Sequence, residues 1–355
     1  MNRKIELDFL RGLAIMLVLF VHFDKIIPFG WIGVDLFFVL SGYLISTLLF
    51  NEFSTKGLVN IKRFLIRRGF KLYPLFYTFI FLTIITKIML YEPINWKIAL
   101  YESTFTRNYF GGFWAHTWSL CVEEHFYIAF AILIYILCNK TNYIYKVQKI
   151  NRGFIIIFAA SLILRFLSLL LELKFGENHF FNSWARYSHT HHRIDSLLFG
   201  VFISYNFFFN KAHTVAFYTK NKKMLLTSAL ILLVPVLIYS NNENFRTTVA
   251  FTFLYISSGI LLMHLLINES FFKNIKIKWL SSVITFMAFI GYNSYAIYLF
   301  HPYVRDYIVG NTYFLNNTNT ITRFFVYTLL SIIIGFISTK YIENYFLRLR
   351  EKLVK

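Results

Sequence analysis

The sequence predicts an all-α, polytopic membrane helix bundle of about ten transmembrane helices with both termini in the cytoplasm. Three observations predict it. Hydrophobic residues make up 57% of the 355 residues and charged residues only 15%, where soluble domains carry about a quarter. Apolar runs long enough to cross a bilayer recur from one end of the chain to the other. The Lys and Arg residues between those runs alternate in density, as a preference for cytoplasmic loops requires.

Taken in order, the apolar windows place spans near residues 7–23, 31–50, 72–91, 118–138, 154–173, 194–209, 223–239, 247–267, 286–304 and 322–341. With both termini inside, the inner segments hold 24 of the 36 basic residues, in groups around Arg3, Arg67, Lys146, Lys220, Lys276 and Arg350. The outer segments hold only 10, from Lys25 to Arg323. An odd number of spans would destroy this alternation. The outer stretches 92–117 and 174–193 are too short for an added soluble domain, so residues 1–355 read as one membrane domain acting alone or with a separate partner.

Several classes drop out. The formal charge of +19 would suggest nucleic acid in a soluble protein, but its confinement to alternate loops points to membrane topology and lipid instead. Cys121 and Cys138 share one apolar stretch and build neither a disulfide framework nor a zinc cluster. The first apolar segment carries Asp8 and Arg11 and runs into further spans without a small-residue cleavage site, so it is expected to be retained. Nothing in the sequence fixes an oligomeric state.

Ionised side chains inside spans cost at least about 2.5 kcal/mol each and point to a site or a pathway. In the first span, Arg11 and His22 lie eleven residues apart, close to three turns, and project from one face roughly 16 Å apart along the axis. FLIRRGFKLYP (64–74) puts Arg67, Arg68 and Lys71 at the inner mouth of the third span, where their charges suit a phosphate-bearing ligand or a topological anchor. HTWSLCVEEHFY (116–127) opens the fourth span, with Ser119, Glu123 and Tyr127 on one face and a carboxylate suited to orienting a histidine. In YSHTHHRIDSLLFG (187–200), the spacing of His189, His191 and His192 fits no standard zinc site, and no metal is expected. Arg193 and Asp195 beside them either pair or meet a polar acceptor. Ser294, Tyr298 and His301 give the ninth span a polar stripe that serves a site or helix packing.

At these residues the sequence resembles the acyltransferase 3 family of bacterial membrane acyltransferases. The likeness runs through LDFLRGLAIMLVLFVH (7–22), GVDLFFVLSGYLI (33–45), FLIRRGFKLYP, HTWSLCVEEHFY, RIDSLLFG (193–200) and SYAIYLFH (294–301), in that order along nearly the whole chain. The resemblance implies an inner-membrane O-acyltransferase of a bacterium. Such an enzyme moves an acyl group, commonly acetyl from acetyl-CoA, to a hydroxyl of an extracytoplasmic carbohydrate or lipid-linked glycan such as lipopolysaccharide. It implies His22 as base or acyl carrier, Glu123 as a required carboxylate, and Arg11, Arg67, Arg68 and Lys71 as donor-site residues. The acceptor side would draw on Asp35, Ser41, His116, Trp118, Ser119, Tyr127, Arg193, Asp195, Tyr298 and His301. Lys71 stands where the family commonly has arginine, which keeps the charge and loses the bidentate fork. A transmembrane exporter of a glycan or small solute is the competing reading, and a passive assembly factor a third.

Overall fold

The computed structural model describes residues 4–353 apart from 25, 141–142, 179–180, 269–270, 273–274, 276 and 313–317. Arg3, Lys25, Lys273, Lys276 and Lys355 of the charge alternation therefore lie outside the described residues, as does part of the Asn-rich turn at 311–320. Among the described residues every regular element is helical. In chain order these are α1 (Ile5–His22), α2 (Ile32–Lys56), α3 (Ile61–Met89), the short α4 (Trp96–Ser103) and α5 (Arg107–Phe110), α6 (Trp118–Tyr135), α7 (Val147–Phe175) and the short α8 (Ser183–Ser188). Then follow α9 (Thr190–Phe209), α10 (Lys211–Ile238), the single turn α11 (Glu243–Phe245), α12 (Phe251–Ile267), α13 (Lys278–Tyr292), α14 (Ser294–Tyr303), α15 (Thr320–Ser338) and α16 (Asn344–Leu353). Local signals set the ends. Asn60 accepts from the Arg63 amide (2.9 Å) to start α3, Asn319 from that of Thr322 (2.8 Å) to start α15, and Gly57 at φ 69° closes α2.

All ten expected spans fall on helices. Among the described residues seven helical stretches are long and apolar enough to cross a membrane, and α13 with α14 adds an eighth if counted as one span. The other two, α1 and α9, have 18 and 20 residues but carry charged side chains. Large aliphatic and aromatic side chains stand exposed along α7 and α10, among them Ile155, Ile156, Ile163, Leu230 and Ile231, a surface that water would not tolerate and lipid would. The chain is an integral membrane protein.

One expectation needs correction. The ninth span is not a continuous helix, because α13 and α14 meet at 71°. Asn293 leaves helical geometry there (φ −91°, ψ 5°), and its amide group donates back to the Phe289 carbonyl (2.8 Å).

Two close helix crossings position the interior. A Cβ at Gly42 of α2 would lie 1.9 Å from the Leu197 carbonyl oxygen of α9, and one at Gly200 of α9 2.0 Å from that of Val39 in α2. The same reciprocity holds between α1 and α13, where Gly12 meets Met287 and Gly291 meets Asp8 at the carbonyl oxygen. Small residues let backbones touch, which is how membrane helices gain contact without a hydrophobic driving force. The second crossing presses α1 against the bent pair.

Buried ion pairs tie α9 to its neighbours. Arg193 of α9 donates to Asp35 of α2 (2.8 Å), which Ser196 also reaches (3.0 Å). Its guanidinium lies 3.3 Å from the centre of the Phe251 ring and 5.4 Å from that of Trp118. Arg165 of α7 pairs with Asp195 (2.8 Å) and donates to the His192 carbonyl and to Thr252, each at 2.8 Å.

Candidate active site

The ends of α2, α3 and α16 converge on a cleft of about 390 Å³ lined by Lys56, Arg63, Arg67, Arg68, Lys71 and Arg350. Glu52, 3.9 Å from both Lys56 and Arg63, is the single carboxylate on its wall among the described residues. Buried Nε atoms of Arg63, Arg68 and Arg350 have no hydrogen-bond partner among the described residues. Such a site suits a polyanion, because guanidinium groups bind phosphate oxygens in planar pairs.

Ile45, Leu48, Arg68 and Lys71 also line a second cavity, of about 440 Å³, so the two spaces share a wall. This second space runs between α1, α2, α3, α6 and the α13–α14 bend, past Arg11, Ser41, Glu123, Tyr292, Ser294 and Tyr295, to Ser119 and Tyr298. Arg68 lies 3.7 Å from Glu123 and donates to the Tyr127 hydroxyl (2.5 Å). That hydroxyl gives its hydrogen to Glu123, so Ser41, also in contact with it, is the donor of its own bond. Lys71 pairs with Glu343 at 2.5 Å. At the far end the Tyr298 hydroxyl donates to the His116 carbonyl (2.8 Å), which leaves Ser119 as donor to it (2.6 Å). This bridge between α14 and α6 closes the cavity.

Beyond the bridge stand three histidines. The His22 and His301 rings are 4.9 Å apart and those of His301 and His116 5.1 Å. Each is held by a main-chain carbonyl: His22 Nδ1 by Val18 (2.9 Å), His301 Nδ1 by Tyr298 (2.7 Å) and His116 Nε2 by Leu299 (3.2 Å). A carbonyl only accepts, so each of these nitrogens carries the hydrogen, and the opposite nitrogen of a neutral ring presents a lone pair. Arg305 donates to the His22 carbonyl (2.8 Å) and fixes the end of α1.

The family model described as an acyltransferase domain, that of acyltransferase 3, matches residues 4–340. The chain belongs to this acyltransferase family. Among its curated relatives, a provisionally named O-acetyltransferase of Staphylococcus aureus (strain COL) is 25% identical over 364 residues, covering 96% of this chain and 56% of the relative. The O-acetyltransferase OatA of Staphylococcus aureus (strain NCTC 8325 / PS 47) is 24% identical over 359 residues, covering 95% and 56%. The chain thus spans little more than half the length of the curated relatives it matches. No solved structure gives a significant match.

The acyltransferase 3 motifs sort into three places in the fold. Arg11, Arg67, Arg68, Lys71, Ser41, Glu123, Ser119 and Tyr298 line the cleft or the cavity, with Tyr127 behind Glu123. His22, His116 and His301 gather beyond it. Asp35, Trp118, Arg193 and Asp195 line neither space: Arg193 and Asp195 do not pair with each other, but each closes a buried ion pair with another helix, and Trp118 packs on Arg193. Glu123 orients no histidine. Its contacts are Arg68 and Tyr127, because it sits one helical turn deeper in α6 than Ser119, on the cavity side of the bridge. Nor does His22 line the cavity, which ends at Ser119 and Tyr298. Sequence reasoning missed Lys56, Arg63 and Arg350 on the cleft, and Tyr295 and Arg305. For Lys56, Arg63, Arg350 and Arg305 the only sequence signal is charge near a span end, shared with many other residues, whereas Tyr295 lies within SYAIYLFH.

Proposed function

We propose that this acyltransferase moves an acetyl group from acetyl-CoA, bound from the cytoplasm, to a hydroxyl of an extracytoplasmic carbohydrate such as a surface polysaccharide or lipopolysaccharide, in the inner membrane of a bacterium. One observation carries the reading: a basic cleft at one end adjoins a cavity that ends one tyrosine short of a histidine cluster at the other. The cleft offers six cations to the donor's phosphates. The cavity suits the narrow pantetheine arm, and Arg11 and Glu123 line its walls.

His22 has its Nδ1 hydrogen committed to Val18, so its Nε2 lone pair is the base. In the proposed step it takes the hydrogen of the acceptor hydroxyl as that oxygen attacks the thioester carbonyl. The C–S bond then breaks, and the proton passes from His22 to the departing thiolate. Tyr298 stands between the two reactants and must turn aside for them to meet. Arg305 and the Val18 carbonyl hold the base in place, a positioning contribution.

Broken helices such as α13–α14 also build the central sites of transporters, which favours the exporter as a second reading. One experiment separates them. Membrane vesicles carrying the protein are supplied with acetyl-CoA labelled in the acetyl group. Label on the glycan, lost on His22→Ala substitution while the protein stays folded, supports transfer; a glycan that crosses unlabelled overturns it.

A further inference from the structure

A third cavity, of about 590 Å³, lies where α1 begins, α9 and α12 end and α10 starts against α2. The loop charges predict this side of the membrane to be cytoplasmic. Lys4 and Lys211 stand on the cavity wall, and among the described residues no carboxylate does. Lys4 also borders the central cavity together with Asp8, whereas Lys211 borders neither that cavity nor the cleft. Thr47 of α2 and Ser204 of α9, 5% and 1% exposed, line the space and hydrogen bond to each other at 2.8 Å. That bond spends one hydroxyl hydrogen, so the pair keeps a second for an acceptor. Around these polar groups the wall is apolar, built from Phe207, Phe208, Val215, Leu266 and Ile267. A small soluble anion has no use for such a wall. Cations, a hydroxyl donor and an apolar lining between membrane-spanning helices match a phosphodiester joined to hydrocarbon, and basic pockets on the cytoplasmic side take acidic lipid headgroups in this way.

We infer that this cavity binds an anionic phospholipid of the cytoplasmic leaflet. Its phosphodiester meets Lys211 and Lys4 and accepts from the Thr47 and Ser204 pair, and the glycerol end of its chains lies against Phe207, Phe208 and Val215. The lipid is a bound partner and not a reactant, because Arg68 and Glu123 line the central cavity and not this one. Lys4 directly precedes α1, so the lipid pins the start of the helix that carries Arg11 and His22. The inference does not depend on the transfer reading.

The test uses the full chain, purified in detergent and stripped of lipid, with native mass spectrometry reading the lipid it takes up. The probes are phosphatidylglycerol, phosphatidylcholine with the same chains, and inorganic phosphate. The inference expects phosphatidylglycerol to bind at least about fivefold more tightly than phosphatidylcholine, and Lys211→Gln to weaken phosphatidylglycerol alone by about fivefold, the weight of one lysine at a headgroup. Lys220→Gln removes the same charge from the same helix outside the cavity and should stay within about twofold of wild type. Val215→Trp, which fills the space and leaves the charge unchanged, should weaken phosphatidylglycerol as well. Equal losses in Lys211→Gln and Lys220→Gln would mean diffuse surface attraction and overturn the inference. So would equal binding of the two lipids, or displacement of phosphatidylglycerol by inorganic phosphate, which would mark a site for a soluble anion. Thermal unfolding checks each variant's fold, and should Lys211→Gln fail it, Val215→Trp is compared with Lys220→Gln by the same criteria. Acetyl transfer has no part in the readout, so this inference and the transfer reading fail separately.

Discussion

Removing Asp35 separates a residue that builds the fold from one that handles substrate. Asp35 and Arg193 are 0% and 1% exposed and meet through one 2.8 Å contact, with Arg193 wedged among Phe251, Trp118, Phe38 and Tyr187. Asp35→Ala leaves the guanidinium buried without a counter-charge, which costs about 3–5 kcal/mol in comparable pairs. For a chain of this size that lowers the unfolding temperature by on the order of 10 °C. The double replacement Asp35→Leu with Arg193→Met leaves no charge stranded and should recover most of the loss. Thermal unfolding of the purified protein in detergent, with membrane abundance alongside, measures both. If Asp35→Ala melts at the wild-type temperature yet abolishes acetyl transfer, the structural reasoning is wrong and the carboxylate meets a ligand.

Further outcomes follow from the same geometry. Under the proposed donor site, Arg67→Gln and Arg350→Gln should each raise KM for acetyl-CoA by about tenfold with kcat little changed, and more steeply in low salt, since each removes a positive charge from the basic cleft; steady-state kinetics at two ionic strengths check it. Gly42→Ala drives a methyl group onto the Leu197 carbonyl, 1.9 Å away before relaxation, and should cut membrane abundance through about 1–3 kcal/mol of overpacking. Tyr298→Phe removes the hydroxyl that bridges His116 and Ser119. Free thiol release from acetyl-CoA should then rise relative to glycan labelling, as water reaches the donor; an unchanged ratio argues against the bridge as a barrier. His22→Asn should lower turnover by about 10²–10⁴, the usual contribution of a positioned base, while leaving acetyl-CoA affinity intact.

Much of this architecture was legible in the sequence, and for stated reasons. Hydropathy located every long helix because bilayer thickness sets length and composition together. Helical spacing put Ser119 and Glu123 on one face, and both line the cavity. Spacing also put Arg11 and His22 on one line; Arg11 lines the cavity, and His22 stands beyond it against His301. What sequence could not supply was partnership across distance. Asp35 and Arg193 lie 158 positions apart and His116 and Leu299 183 apart, and no local rule joins them. Glu123 shows the same limit: its face was readable, but its partner Arg68 comes from another helix. The break at Asn293 was not read because no proline marks it, although Gly291, Asn293 and Ser294 stand together there.

That break gives one segment of chain two duties. Tyr292, Tyr295 and Tyr298 line the cavity, and three residues on His301 joins the histidine cluster. With the knee at Asn293 as pivot, α14 is a short lever reaching into both. A swing that moved Tyr298 out of the cavity would carry His301 with it, so the transfer proposed above would couple its two reactants through one short helix.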